Sequence, residues 1–448
     1  MSRVVIIGGG ITGLSAAWAL RQIPNPPEII LLEQSKRLGG CIYTEHFNGF
    51  LMEHGPDVFL ARKPEAVQLC KSLGLVLQKT NETQRRVYLR RGTTLYPIPE
   101  GLSGLVPQRI WPLISSPLLS PRGKLRMLAE LVIPPRVDES DESVTDFFIR
   151  RFGQEAFSNL IKPLLSGLAG HDVEQLSIQT LLPHLRTCEI NYGSLLIGVN
   201  RTSTNGFDSS FRSLPNGLSS LIDALFELNK GCVQLGQEVT EIKPVGKYWN
   251  VYVAGHAPLP ATNIILAVPA WSAAKIIAPM NPNLGNLLQQ ISYRAGTMVH
   301  LAYHQADVPI PLNGYGHLIN PDGENTISAC TWSTCKLDGR APAGHLLFRL
   351  YLRGAGLPDS DILAQAYVEM QQALQVTADP ILTRIHHFPA ALPQYRLGHQ
   401  ERIRKIQRIV RSHEHLFLSG NYIDGAGIPD CIRSGIHAAN QIAQQPRR

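Results

Sequence analysis

At 448 residues the chain is too long for one ordinary domain and long enough for two or three, each with its own core. Hydrophobic residues at 44% and charged residues at 17% exclude a disordered or fibrous chain. The net charge of +7 would suit nucleic acid, anionic lipid or an acidic small molecule, and the scattered basic clusters, without zinc-finger spacing or an RNA-module signature, argue against the first.

Residues 3–33 read as strand, glycine turn, helix (Leu14 to Gln22), a Pro24 to Pro27 loop and a second strand (Ile29 to Leu32), the start of a βαβ unit. From Tyr96 to Pro135 eight prolines punctuate short apolar pieces, which places a domain boundary near residue 95. Phe147, Phe148, Phe152, Phe157 and Ile161 give the 144–185 stretch a helical apolar stripe. Strand signals return at 233–235, 238–242, 248–253 and 263–268, more follow around glycine turns between 297 and 353, and 361–376 reads as a helix. The fold expected is α/β: a discontinuous Rossmann-like domain from 1–95, 205–275 and 395–448, a helical insertion at 96–204, and an α+β substrate domain at 276–394. Seven scattered cysteines, odd in number and without a Cys-x-x-Cys pair, read as reduced thiols. No apolar run reaches the ~18 residues a spanning helix needs. The first strand leaves no room for a leader, so a cytoplasmic location is expected.

The chemistry begins at Gly8-Gly9-Gly10-Ile11-Thr12-Gly13. In the pattern Gly8-x-Gly10-x-x-Gly13 the glycines allow a tight turn, close approach of backbone to a pyrophosphate, and close packing of helix on strand. Glu33, 20 residues beyond Gly13, stands where a carboxylate bonds an adenosine ribose, with Gln34 beside it. A second loop, Arg37-Leu38-Gly39-Gly40-Cys41, followed by Glu53-His54-Gly55-Pro56-Asp57, supplies further close-approach backbone and a cation, which suits FAD better than NAD.

This pair of loops resembles the amine oxidase and protoporphyrinogen oxidase superfamily of flavoproteins, in which a C-terminal segment closes over the flavin; Gly420 to Gly435 is similar to that segment, with a helix expected at 436–443. Pro121-Arg122-Gly123-Lys124, Leu176-Ser177-Ile178, Gly314-Tyr315-Gly316-His317-Leu318, Leu392-Pro393-Gln394-Tyr395-x-Leu397-Gly398-His399 and Pro429-Asp430-Cys431-Ile432 extend the likeness, from end to end, to the protoporphyrinogen oxidase family. The resemblance implies FAD contacted additionally by Val239 at the adenine and by Ala267, Gly420, Asn421, Ile428, Pro429 and Asp430, and with no flavin-linking Cys or His motif evident the binding is expected to be non-covalent. It also implies hydride transfer from a porphyrinogen to flavin N5, with oxygen as acceptor and peroxide as product, and no metal or acid–base cluster. A porphyrinogen is a broad apolar ring edged with carboxylates, so its site needs an apolar sandwich and a cation. Arg86 resembles the family's propionate-binding arginine; by the same alignment Leu318 and Cys330 would face the ring, Tyr351 would stack on it, and the Gly167 carbonyl would accept pyrrole N–H bonds.

The leading substrate expectation is protoporphyrinogen IX. Coproporphyrinogen III, with four carboxylates, is the rival, and Arg353 and Arg90 as extra cations leave it open. A flavin amine oxidase is disfavoured because His300 stands where those enzymes carry a lysine; a non-catalytic FAD-binding protein is the remaining alternative. Two positions depart from the superfamily: Cys41 follows the glycines in place of arginine, and Asp57 stands where relatives carry Asn or Arg, a carboxylate expected to repel propionate. Trp111, Leu118, Leu119 and Ile133, with Arg109, Arg122, Lys124 and Arg126, suit an anionic membrane surface, a substrate-channel lid or a homodimer contact. The other partner the resemblance implies is ferrochelatase, the next enzyme of the haem pathway.

Overall fold

The computed structural model describes residues 2–103, 105–138, 140–169, 173–202, 211–320, 326–354 and 356–445. Runs of Val, Ile and Leu at Arg3–Ile7, Glu28–Glu33 and Asn263–Leu266 bury both faces, as the strands of a covered parallel sheet must. With Val233–Leu235 and Leu416–Leu418 they form five parallel strands in the order 233–235, 28–33, 3–7, 263–266, 416–418. These strands come from well-separated parts of the chain, so the Rossmann-like domain is discontinuous, as expected.

One sheet face carries the helices Ile11–Arg21 and Ile428–Ala443. They cross closely enough that a Cβ on Gly435 would stand 2.2 Å from the Thr12 carbonyl oxygen. The last helix starts at Ile428, eight residues before the expected 436. Pro429 lies in the first helical turn, where its missing N–H leaves no bond unmade. The other face is covered by a three-stranded antiparallel sheet (Val239–Val245, Tyr248–Val253, Leu259–Ala261) and by helices that include Ala270–Ile277, Pro282–Gln289 and His399–Arg411.

A second sheet has seven strands in the order Leu382–Pro393, Tyr293–His304, His345–Arg353, Ile327–Trp332, Gly316–Ile319, Val87–Arg91, Thr94–Pro97. Residues 87–95, assigned from sequence to the dinucleotide domain, therefore belong here. Pro97 and Pro99 end a hairpin turned at Gly92 (φ +57°) and do not mark a domain boundary. The helix Asp359–Leu374 covers one face of this sheet through Ile362, Ala366, Met370 and Leu374. Opposite it, the hairpin Thr44–Phe47/Phe50–Glu53 lays Phe50 and Met52 on Ala302, Leu347 and Leu382.

Helices between Ile110 and Thr202 form a third unit around Phe147, Phe148, Phe152 and Phe157. Its helix Lys162–Ala169 lies over the 316–319 and 327–332 strands. The expected boundary at 204/205 lies outside the described residues. Among those residues no helix is long and apolar enough to cross a membrane.

Candidate active site

The first strand ends in Gly8 (φ +111°), and the helix that follows begins at Ile11 with Gly10 as a cap lacking a side chain, so the amides of Ile11, Thr12 and Gly13 open onto the turn. A Cβ on Gly13 would meet the Gly8 oxygen at 2.0 Å, which makes glycine obligatory there. The peptide after the neighbouring strand closes the same turn: the Ala267 amide donates to the Ile7 carbonyl at 2.8 Å, and the Ala267 carbonyl packs against Gly8. Glu33 accepts from the Gly9 amide at 2.7 Å and from the Ser35 amide and hydroxyl at 2.8 and 2.7 Å, so its carboxylate is oriented at the strand end. Gln34 is exposed in the bend that follows. The Gln237 amide donates to the Glu33 carbonyl, which brings buried Val239 close to the same corner.

The second glycine loop docks on the first through Gly39 N–H to Gly9 O at 2.9 Å. Open backbone at Gly10 faces Gly40, where a Cβ would lie 3.7 Å from the Gly10 Cα. Arg37 donates to the Gly40 carbonyl at 2.7 Å and covers the Tyr43 ring at 4.8 Å. An oriented ribose-type carboxylate, an amide-lined helix end and two facing glycine loops fit the adenosine diphosphate half of FAD.

From there the chain turns at Gly55-Pro56-Asp57. A Cβ on Gly55 would stand 1.8 Å from the Cys41 carbonyl oxygen, so this turn is pressed against the second loop. Arg349 fastens its far side, donating to the Glu53 and Gly55 carbonyls at 3.1 Å each and pairing with Asp57 at 3.2 Å. Lys336 takes the other Asp57 oxygen at 2.7 Å. Burial pushes the Asp57 carboxyl up, and Arg349 and Lys336 more than reverse it, holding it well below the usual carboxylate range. The repulsion of propionate expected from Asp57 is therefore corrected: two cations neutralise its charge within the protein.

Beyond Arg349 lies the seven-stranded sheet, and its register defines a floor. Leu89, Leu318, Ala329, Tyr351, Met298 and His386 are successive cross-strand partners and share one face. The row on one side contains Thr331, Arg349, His300 and Arg384; the row on the other contains Arg353, Gly296 and Phe388. The Arg349 guanidinium lies 4.8 Å from the Tyr351 ring centre, so one arginine positions both the Gly55–Asp57 turn and the aromatic floor. The helix Lys162–Ala169 forms the roof, with Gly167 in its last turn, where carbonyls lack intrahelical donors.

Three sequence expectations are corrected at this floor. Cys330 pairs with His317 and Leu350 on the opposite face, inside the core under the 359–374 helix, because strand neighbours alternate faces; Ala329 holds the floor position. Arg90 also points away, bonded by Glu369 at 2.7 and 2.6 Å, with His317 on the same carboxylate at 2.9 Å, and so is no cation of the floor. Arg86 stands just before its strand, 57% exposed and 3.9 Å from Glu100, outside the floor rows.

At the C-terminal closure, Gly420 donates to the Ser434 hydroxyl at 3.0 Å, and Tyr293 donates to the Asn421 side chain at 2.8 Å. Ile428 and Pro429 form the first turn of the last helix. The Asp430 carboxylate is spent on Lys63 and Arg433, each at 2.6 Å, so it secures the closure to the rest of the domain. Sequence reading missed Arg349, Lys336, Lys63 and the histidines around His54. The alternation Arg349-Leu350-Tyr351-Leu352-Arg353 within an apolar strand was the available signal for the first; Lys336 and Lys63 carry no local one.

A model of the flavin containing amine oxidoreductase family matches residues 11–443. The chain is 32% identical to the coproporphyrinogen III oxidase of Bacillus subtilis over 96% of each chain. It is 30% identical to the Staphylococcus aureus protein of the same name over 98% of each, and 29% identical to Homo sapiens protoporphyrinogen oxidase over 98% of each. A crystal structure of an Exiguobacterium protein superposes at TM-score 0.86 with 28% identity, covering 99% of this chain and 98% of that one. Cyclohexylamine oxidase from Brevibacterium oxydans, at TM-score 0.75, 16% identity and 99% coverage of both chains, shares the fold. The chain belongs to the flavin containing amine oxidoreductase family and, within it, to the porphyrinogen oxidases of haem biosynthesis, as an FAD-dependent oxidoreductase.

Proposed function

We propose that the substrate is coproporphyrinogen III, oxidised to coproporphyrin III with oxygen as the final acceptor and hydrogen peroxide as the second product. The observation that carries this reading is the register of the floor: an apolar row of Leu318, Ala329, Tyr351 and Met298, braced on its inner side by an Arg349 already engaged with Asp57 and the Gly55 turn, borders an outer row bearing Arg353. A broad apolar ring with carboxylates on its rim suits an apolar strip with a cation at its outer edge. The relatives at 30–32% identity support the same ordering, since they are named coproporphyrinogen III oxidases, whereas Homo sapiens protoporphyrinogen oxidase stands at 29%. This proposal places coproporphyrinogen III ahead of protoporphyrinogen IX, the opposite of the order expected from the sequence motifs.

FAD supplies the two-electron acceptor. The residues of the chain bind, orient and exclude water. Tyr351, braced by Arg349, and Leu318 carry the ring; the last turn of the 162–169 helix, including the Gly167 carbonyl, offers acceptors to the pyrrole N–H groups; Arg353 takes a propionate. Comparing kcat/KM for coproporphyrinogen III and protoporphyrinogen IX on one preparation tests the assignment. At least a tenfold preference for the first is expected, about 1.4 kcal/mol of differential transition-state binding, and an equal or reversed ratio would overturn it.

A further proposal concerns location. Trp111 and Val132 on the helical unit are 80% and 82% exposed, with Arg122 and Lys124 nearby in the chain. Apolar and aromatic side chains beside cations favour contact with an anionic membrane surface over an inward-facing lid. Co-sedimentation with anionic vesicles, lost at high salt and in Trp111→Ala, is the expected result; no sedimentation would leave the enzyme free of the membrane.

A further inference from the structure

His300 has no solvent exposure; the Glu53 carbonyl is the group that comes near its ring, and neither ring nitrogen has a well-aligned hydrogen-bond partner within the described residues. An imidazole in that condition is costly, because one nitrogen always carries a hydrogen and the other a lone pair. It lies directly across from Arg349, the residue that grips the Gly55–Asp57 turn, and so sits behind the ring end of the FAD cleft.

Its surroundings continue toward the surface. The His54 ring meets it edge to face, with centroids 5.0 Å apart and planes at 71°. The Nδ1 of His54 is buried without a partner too, while its Nε2 bonds Glu45 at 2.8 Å. Glu45 is partly exposed and pairs with Arg384 at 2.9 Å. His386 completes the cluster, its centroid 5.0 Å from that of His54. Two buried imidazoles thus lead from the cofactor turn to a carboxylate at the protein surface.

We propose that His300 is the redox-linked proton site of the enzyme, and that His54 and Glu45 connect it to solvent. The inference rests on FAD occupying the cleft and is independent of which porphyrinogen is oxidised. In each turn a C–H bond of substrate breaks with its electron pair passing to the flavin, while a proton leaves a pyrrole nitrogen; oxygen later takes two electrons and two protons to become peroxide. Reduction by hydride adds a negative charge to the cleft. In the oxidised enzyme burial, then Arg349 and His54, with His386 adding, keep His300 neutral, its pKa well below the ordinary imidazole value. The Glu53 carbonyl pulls weakly the other way, Asp57 is cancelled by Lys336 and Arg349, and Glu45 is held by Arg384. A new negative charge beside the ring raises its pKa, which favours uptake of a proton when the flavin is reduced and its release when oxygen oxidises the flavin.

The pH dependence of the bound flavin's midpoint potential tests this at equilibrium, without turnover. Between about pH 6 and 8 the wild-type holoenzyme should take up two protons per two electrons, and His300→Gln, still carrying FAD, should take up one. A one-proton slope in the wild type, or the same two-proton slope in H300Q, overturns the proposal; where H300Q fails to hold FAD, His300→Asn is read in its place, and Glu53→Gln, which removes the neighbouring carboxyl that titrates at about 7, should keep the two-proton slope. Glu45→Gln should keep the two-proton slope and slow flavin reoxidation by about tenfold, a barrier increase of ~1.4 kcal/mol. Unchanged reoxidation in E45Q would remove His54 and Glu45 from the path.

Discussion

The two ends of the active-site cleft are built differently. At the dinucleotide end backbone does the work: glycines, amides and one oriented carboxylate, Glu33, define a cradle that side chains would fill. At the end proposed for the substrate side chains do the work, and their placement depends on which residue lies opposite which across the strands between 87 and 393. The first kind of site has a local cause and is intolerant of any added atom. The second has a non-local cause and is tolerant of conservative change, except where Arg349 joins the two ends.

The contrast is broken most severely at Gly13. Gly13→Val places a side chain where 2.0 Å separates the Cβ position from the Gly8 oxygen; the purified protein should lose its yellow colour, with FAD affinity down by at least a hundredfold, or ~2.7 kcal/mol, in an absorbance titration. At the joint, Asp57→Ala leaves Lys336 and Arg349 as buried cations facing each other and should cost about 3–5 kcal/mol in denaturant unfolding, with Lys336→Ala close behind.

Glu53 sharpens the comparison from the titration side. Burial raises its carboxyl to about 7 from 4.5, against bonds from Thr44 and the Leu218 amide. A group that holds its proton more tightly in the folded state contributes stability that is full below pH 4.5 and lost as pH rises through about 7. Glu53→Gln should therefore flatten the decline of melting temperature across that window and be the more stable protein at its upper end, by about 1–3 kcal/mol. The smallest effects belong to the floor. Tyr351→Ala should lower kcat/KM by about tenfold with FAD retained, while Cys330→Ala, behind the sheet, should leave kcat/KM within about twofold and cost only ~1 kcal/mol of stability.

What the sequence makes legible follows the same division. Gly8 to Gly13, Glu33 and the Gly39-Gly40 pair announce themselves because turn, helix start and ribose contact depend on neighbours within one βαβ unit. Leu318 and Tyr351 were placed through family resemblance, and the structure puts them in one row, whereas Cys330, one residue from Ala329, fell on the wrong face because a single step along a strand reverses it. Arg90 failed for the same reason. Asp57 was read as a free carboxylate because its partners lie 279 residues away at Lys336 and further on at Arg349, and no local pattern connects them. The start of the last helix was missed because residues 420–435 were assigned as a whole to the closing segment by resemblance, although Ile428 to Gly435 already belong to the helix.

The central claim is that porphyrinogen electrons reach FAD across the floor formed by Leu318, Ala329, Tyr351 and Met298. Anaerobic addition of coproporphyrinogen III to the oxidised holoenzyme reads this directly. Bleaching of the flavin absorbance is expected together with the appearance of porphyrin fluorescence, both slowed in Tyr351→Ala, and admitting oxygen should start a new cycle. Flavin that stays oxidised under coproporphyrinogen III, or bleaching at the wild-type rate in Tyr351→Ala, would contradict it.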